Sequence, residues 1–88
     1  MPAYRIEFSP QAYRQFGKLT ADTRRRLTPH IEALAEEPRP PHAERLPSDL
    51  ALWRIRIGAY RVVYTIEDER LVVLVIKLGH RRDVYRDL

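Results

Sequence analysis

The stretch LWRIRIGAYRVVYTI, residues 52–66, decides the fold because apolar and polar side chains alternate on both sides of one glycine. A strand turns successive side chains to opposite faces, so Arg54 and Arg56 share one face while Trp53 and its apolar neighbours share the other. Gly58 stands where a two-residue type II′ turn requires glycine. The stretch therefore predicts a half-buried β-hairpin.

The predicted turn also decides which charged residues meet across the hairpin. A two-residue loop pairs Arg56 with Arg61, on the face that already carries Arg54. Like charges directly opposite each other destabilise a sheet, so the three guanidiniums favour an anion between them. Guanidinium forks match phosphate oxygens well. We interpret this face as a phosphate-binding surface, with a merely solvated strand face as the alternative.

Composition indicates one small basic domain over residues 1–88. The chain is 44% hydrophobic and carries a formal net charge of +4, which is common in proteins that meet nucleic acid or an acidic protein. It has no cysteine, and its 3 histidines lack ligand spacing, so we expect no metal and no cofactor. The longest apolar run, residues 71–76, is too short to span a membrane. We expect a soluble cytoplasmic protein without membrane contact.

The first half of the chain predicts a strand followed by two helices. Alternation marks a strand at residues 3–8, and Ser9 then serves as the N-cap of a helix over residues 10–19. Thr20 is a plausible cap for a second helix. Because proline breaks the helical hydrogen-bond ladder, Pro29 predicts either a kink near Thr28 or a new helix start there, with Thr28 as cap and Pro29 as first residue.

The second half of the chain predicts three more strands, so the order is β-α-α-β-β-β. After the first strand of the hairpin, strands are expected at residues 60–66 and 71–78, with an acidic turn near Asp68. An antiparallel sheet with the helical hairpin packed on one face buries the apolar side of every element, which makes an α+β fold. The helices are expected to cover Trp53, Ile55, Val62 and Tyr64.

The face opposite the helices carries an apolar strip as well as the arginines. If Ile66 pairs with Leu71, the strip consists of Val72, Leu74 and Ile76 beside Val63. Such a strip next to a basic cluster needs a cover. Either the C-terminal tail packs there, or another chain docks there.

The motif GAYRVVY at residues 58–64 and the ending LGHRRDVY at residues 78–85 resemble the RelE/ParE superfamily of bacterial toxins. The resemblance includes the valine-rich strand between the motifs and covers nearly the whole chain. It implies the toxin of a type II toxin–antitoxin system. In the RelE branch such toxins are ribosome-dependent endoribonucleases that cut mRNA; in the ParE branch they lack the ribonuclease residues and poison DNA gyrase. The match is better to RelE.

The resemblance also implies roles for individual residues. Arg54 and Arg56 stand where RelE-type enzymes keep two basic strand residues, often lysines, so they are expected to bind RNA phosphate. The remaining matches come from the hairpin and the closing motif, with His80 at a variable place of that motif. The implied catalytic set is Arg61, His80, Arg81 and Tyr85.

Metal-free RNA cleavage needs a base, an acid and positive charge while the ribose 2′-OH attacks the adjacent phosphate. Arginine keeps its proton, so Arg61 and Arg81 are expected to hold the scissile phosphate. Proton transfer then falls to Tyr85 and His80, one as base and the other as acid, in either order. Simpler roles are open for both residues. His80 could be an ordinary histidine at the end of a strand. Tyr85 could cap the core with its ring or offer a stacking platform for an RNA base.

The resemblance further implies partners and leaves other functions open. The expected partners are mRNA, the ribosome with its 16S rRNA, a cognate antitoxin, and operator DNA through the antitoxin complex alone. A partner covering the basic face should bring acidic residues and an amphipathic helix. The open alternatives are a gyrase inhibitor and an inactive member that only binds its antitoxin. Four basic helix residues are candidates for rRNA contact, or for a solvated face: Arg14, Lys18, Arg24 and Arg25.

Overall fold

In the computed structural model, which describes residues 3–85, two helices lie on one face of a five-stranded sheet. The predicted α+β class is confirmed, and the predicted order gains one two-residue strand before the hairpin. The elements are β1 (Arg5–Phe8), α1 (Pro10–Gly17), α2 (Ala21–Ala33), β2 (Glu44–Arg45), β3 (Trp53–Ile57), β4 (Tyr60–Glu67) and β5 (Val72–His80).

The sheet is antiparallel except at one edge. Its strand order is β1-β5-β4-β3-β2, and β1 pairs with β5 in parallel. Strands joined by tight turns must run antiparallel, whereas a strand followed by helices that cross the sheet is free to pair in parallel. The predicted antiparallel arrangement therefore holds for β2 to β5, and β1 departs from it.

Both helices begin at the predicted hydroxyl caps. Ser9 Oγ accepts a hydrogen bond from the Ala12 amide at 3.0 Å, and Thr20 Oγ1 accepts one from the Thr23 amide at 3.2 Å. Each contact satisfies an amide that has no partner within the helix. The first helix ends at Gly17, slightly before the predicted boundary.

The second helix continues through its proline. α2 is one helix with Pro29 inside it, so the predicted new start at Thr28 is wrong. Pro29 is exposed, and on that side water can satisfy the carbonyl that loses its helical partner. The Thr28 hydroxyl donates to the Arg24 carbonyl at 2.7 Å, which ties the preceding turn together.

The hairpin has the predicted register. Arg56 lies opposite Arg61, and Ile55 lies opposite Val62. Gly58 has a φ of 61°, as the first central residue of a type II′ turn requires. A side chain at this position would be strained, and its Cβ would also lie 2.9 Å from an Arg26 guanidinium nitrogen.

The second hairpin differs from the prediction in two ways. Ile66 pairs with Val73 rather than with Leu71, because Leu71 belongs to the turn and has a left-handed φ of 54°. A shift of two residues leaves Val72 and Leu74 on their predicted face. Further along, β5 contains a bulge at Ile76, which reverses the alternation for the rest of the strand.

Most of the core lies between the sheet and the helices. Ile55, Val62 and Tyr64 are fully buried there and Trp53 is partly buried, as predicted. The Tyr64 hydroxyl donates to the Pro38 carbonyl at 2.7 Å, and burial raises the pKa of Tyr64 to about 12. No helix in residues 3–85 is long and apolar enough to cross a membrane.

A smaller apolar cluster lies on the opposite face. Leu52, Val63 and Val84 are buried together, with Leu46 and Ile76 packed against them. Val84 belongs to the C-terminal turn. Two covers were predicted for the apolar strip, the C-terminal tail or another chain. At this cluster the C-terminal tail packs on the strip through Val84.

Candidate functional site

The arginine face of β3 carries a carboxylate that the sequence analysis missed. Glu44 in β2 lies opposite Arg54, and its Oε1 atom is 2.6 Å from Arg54 Nη2 and 2.9 Å from Arg56 Nη2. The repulsion expected among the arginines is thus offset by a bridging anion. A two-residue strand has too few residues to show an alternation, so the sequence held no clear signal for this contact.

Arg54 is the inner residue of this cluster. Its side chain is only 13% exposed, and its Nη1 donates to the Tyr85 hydroxyl at 2.8 Å. Burial opposes its charge, but the hydrogen bond with Tyr85 and the nearby Glu44 outweigh burial, so the pKa of Arg54 lies above its ordinary value. Its Nε atom is buried without a hydrogen-bond partner among the described residues. Arg54 therefore positions Glu44 and Tyr85.

Glu44 and Arg56 form the outer part of the cluster. The charge of Arg54, helped by hydrogen bonds from Arg56 and Arg54, lowers the pKa of Glu44. Glu44 is therefore ionised at neutral pH. The Arg56 side chain is 56% exposed, so an incoming anion could reach it by displacing the Glu44 carboxylate.

The turn end of the hairpin gathers further basic residues. The Arg61 guanidinium donates to the Gly58 and Tyr60 carbonyls at 2.8 and 3.0 Å. The Arg81 amide donates to the Ala59 carbonyl at 2.7 Å, which brings the start of the C-terminal turn to the hairpin turn. The Arg81 side chain is exposed, and no residue in 3–85 is its hydrogen-bond or ion-pair partner.

Tyr85 is placed by the turn that follows β5. The Asp83 and Val84 amides both donate to the His80 carbonyl, at 2.8 and 3.1 Å. Val84 is then buried in the small apolar cluster, while Tyr85 stays 37% exposed. One apolar anchor and the hydrogen bond from Arg54 together hold the phenol at the arginine cluster.

The structure places His80 apart from the arginines. His80 pairs with Tyr60, whereas Arg61 pairs with Gly79, so the His80 and Arg61 side chains belong to opposite sheet faces. The His80 and Tyr60 rings meet edge to face, with centroids 6.0 Å apart, and Tyr60 packs against the helix-side core. Without the bulge at Ile76, regular alternation would put His80 on the arginine face.

The basic residues of the helices have mixed surroundings. Arg24 donates to the Gly17 and Leu19 carbonyls, so it closes the connection between the helices. Arg25 forms an ion pair with Asp22. The two remaining candidates for rRNA contact, Arg14 and Lys18, are exposed. Residues 3–85 contain no group of three metal-ligating side chains that could hold an ion.

A helical hairpin on one sheet face, with arginines and a fixed tyrosine on the other, is the arrangement expected for a RelE/ParE-type toxin. Residues 6–85 match the family model described as the ParE toxin of type II toxin–antitoxin systems, parDE. The chain belongs to this family of toxins. The mRNA interferase toxin RelE of Escherichia coli K12 is 33% identical over 89 residues, which cover 97% of this chain and 93% of RelE.

Solved structures give the same assignment. The chain is similar to a chain of the E. coli RelBE toxin–antitoxin complex, with a TM-score of 0.79, 30% identity, and 89% and 96% of the two chains covered. The RelBE2 complex of Mycobacterium tuberculosis gives a TM-score of 0.80 at 29% identity, with 94% and 97% covered. The predicted superfamily and its RelE-like character are confirmed.

Proposed function

We propose that this toxin is an endoribonuclease that cuts mRNA on the ribosome and is neutralised by a cognate antitoxin. The similarity to a relative named as an mRNA interferase supports the activity. The observation that carries the proposal is the 2.8 Å hydrogen bond from Arg54 to the Tyr85 hydroxyl. It holds a proton-transfer group beside guanidiniums that remain charged at every accessible pH.

Phosphate binding is the first step of the proposed reaction. Glu44 Oε1 bridges Arg54 and Arg56, and an RNA phosphate oxygen would take its place between them. Arg61 and Arg81, at the turn end of the hairpin, would hold the scissile phosphate. They would also stabilise the negative charge that develops on it, which is commonly the largest single contribution to catalysis.

Proton transfer is the second step. The Tyr85 oxygen accepts a hydrogen bond from Arg54, which leaves its own proton free for donation to the departing 5′-oxygen. Once phosphate occupies the arginines, Glu44 loses its positive partners and lies beside an anion. Its basicity rises as a result, and it becomes suited to deprotonate the 2′-OH. The alternative base is His80, which would need to act from the opposite face of the sheet.

Mapping RNA ends and DNA supercoiling after induced expression tests this function. Transcript cuts without a gyrase defect are expected. The ParE name of the family model makes gyrase inhibition the second candidate, and a supercoiling defect without cuts would establish it. Neither effect, with antitoxin binding intact, would identify an inactive member. Parallel assays with purified toxin on free mRNA and on programmed ribosomes test the ribosome requirement.

Two substitutions separate catalysis from binding. Tyr85→Phe keeps the ring but removes the proton, so RNA cleavage should fall by about a hundredfold or more while antitoxin binding persists. His80→Ala serves as the matched test of the other proton-transfer candidate and should leave most of the cleavage. If cleavage survives the tyrosine change and is lost with the histidine change, the acid–base assignment is wrong.

The antitoxin partner is proposed from the solved relatives, which are toxin–antitoxin complexes. The exposed Arg81 would suit a partner with acidic residues, and an amphipathic helix would fit the mixture of charge and apolar surface. Operator DNA would be contacted only through that complex.

A further inference from the structure

Gly79 leaves a gap in the row of β5 side chains on the arginine face. It pairs with Arg61, and residues directly opposite each other on two strands share a face. Two residues earlier, Lys77 pairs with Val63 and is buried. Two residues later, Arg81 is exposed. The covered part of this face therefore ends between Lys77 and Arg81, and Gly79 lies at that boundary.

No side chain in residues 3–85 covers Gly79. A Cβ atom placed on it would meet no heavy atom of that part of the chain within 4 Å, apart from its own chain neighbours. The Arg61 guanidinium stays clear of this space because it donates to the Gly58 and Tyr60 carbonyls of its own hairpin. We call this bare stretch of backbone, beside Arg61 and before Arg81, the Gly79 notch.

The fold does not require a glycine at this position. Gly58, in contrast, has a left-handed φ, and a Cβ there would lie 2.9 Å from an Arg26 side-chain atom, so the hairpin turn depends on it. Gly79 has neither property. Glycine weakens the interior of a strand because it loses more backbone entropy on folding and packs no side chain. In a strand it often marks a place where a ligand approaches the backbone closely.

We propose that the Gly79 notch receives the ribose–phosphate backbone of the RNA at the cleavage site, with Gly79 as a positioning residue. The inference rests on the proposed function. A phosphate held by both Arg61 and Arg81 would bring its ribose over the residue that lies next to both of them, which is Gly79. A methyl group there would lift the RNA by about 1 Å or more, and a displacement of about 1 Å can lower a rate by about a hundredfold.

Filling the notch tests the proposal. Gly79→Ala adds one methyl group, and Gly79→Val adds a larger side chain that suits a strand. Gly17→Ala is the matched control, because a Cβ at Gly17 also meets nothing within 4 Å and Gly17 lies at the end of α1, away from the arginines. The measurements are single-turnover RNA cleavage on programmed ribosomes, affinities for an uncleavable 2′-deoxy RNA and for inorganic phosphate, and the midpoint of urea unfolding.

RNA cleavage and RNA affinity should fall as the side chain grows. Gly79→Ala should lower both by about tenfold, and Gly79→Val by about a hundredfold. Phosphate affinity should stay at the wild-type value, because a small ion needs no room above Gly79. The urea midpoint should stay the same or rise, because both new residues suit a strand better than glycine does. The control should change neither cleavage nor RNA affinity.

Three outcomes would decide against the notch or against the ribonuclease. Wild-type cleavage and RNA affinity in both Gly79 variants would overturn the notch and leave the ribonuclease in place. A lower urea midpoint for Gly79→Ala, or an equal loss of phosphate affinity, would overturn the notch, because the glycine would then serve the fold or the arginines. A wild type that binds the 2′-deoxy RNA but cuts no RNA, with affinity lost in the variants, would support the notch and contradict the proposed function.

Discussion

The two faces of the sheet are built from the same strands but have different roles, one in the core and one in the candidate site. On the helix side, buried apolar residues pack against α1 and α2, and Ile55 is fully buried among them. On the other side, the next residue, Arg56, is 56% exposed and pairs with a carboxylate. Because strand residues alternate between the two faces, Ile55 contributes to the core and the next residue, Arg56, contributes to the arginine cluster. The register of the hairpin therefore fixes both the core and the cluster.

The arginine face is nevertheless more than a charged surface. Its small apolar cluster buries Val84 and so holds the C-terminal turn. That turn carries Tyr85 to Arg54. Apolar packing on this face thus positions a polar group, whereas packing on the helix face stabilises the fold as a whole.

The largest expected effect is on cleavage by the arginine face. Glu44→Gln removes the proposed base and should lower the rate of RNA cleavage by about 10²- to 10⁴-fold. The same change removes an anion that competes with phosphate, so binding of an uncleavable 2′-deoxy RNA should tighten. Single-turnover rates and equilibrium titrations measure the two effects separately. Unchanged cleavage with tighter binding would leave Glu44 as a counterion alone.

The next effect tests the separation of the faces directly. Ile55→Ala should lower the free energy of unfolding by about 2–5 kcal/mol, because it leaves a cavity in the main core. Arg56→Ala should change it by about 0.5 kcal/mol or less while weakening RNA binding. Urea unfolding of the two variants gives the comparison. Equal losses of stability would show that the arginine face carries the fold as well.

A smaller loss of stability is expected for Val84→Ala. Burial of two fewer carbon atoms should lower the free energy of unfolding by about 1–2 kcal/mol. Cleavage should fall further than this loss explains, because Tyr85 loses its anchor next to Arg54. Thr65→Ala, on a partly buried position of β4, serves as a control outside the small cluster. Full cleavage activity in the Val84 variant would show that Arg54 alone positions the phenol.

The smallest expected effect concerns Asp68, in the turn between β4 and β5. Asp68 accepts hydrogen bonds from Tyr4 and Arg39, at 2.7 and 2.8 Å, and the Arg39 hydrogen bond chiefly lowers the pKa of Asp68 from 3.8. The folded pKa of Asp68 lies below the ordinary value of 3.8. Its contribution to the free energy of unfolding is therefore complete above pH 3.8 and is lost as the pH falls through the folded pKa. Asp68→Asn should flatten the stability profile below about pH 4. Parallel profiles for the two proteins would contradict this role.

Much of the fold could be predicted because its signals are local. The caps at Ser9 and Thr20, the glycine turn and the alternation of β3 each depend on a few adjacent residues. The pairing of β1 with β5 could not be predicted, because it depends on the path of two helices across the sheet. The contact of Glu44 could not be predicted for a similar reason, because it joins a two-residue strand to the hairpin.

By itself, the sequence determined the hairpin, its register and its three arginines on one face, because a two-residue period and one glycine are sufficient for these. Only the tertiary structure decided how that face is completed. It added Glu44 between the arginines and brought Tyr85 to Arg54. Through one bulge in β5 it also placed His80 beside Tyr60, since a single extra residue reverses the alternation for every residue that follows.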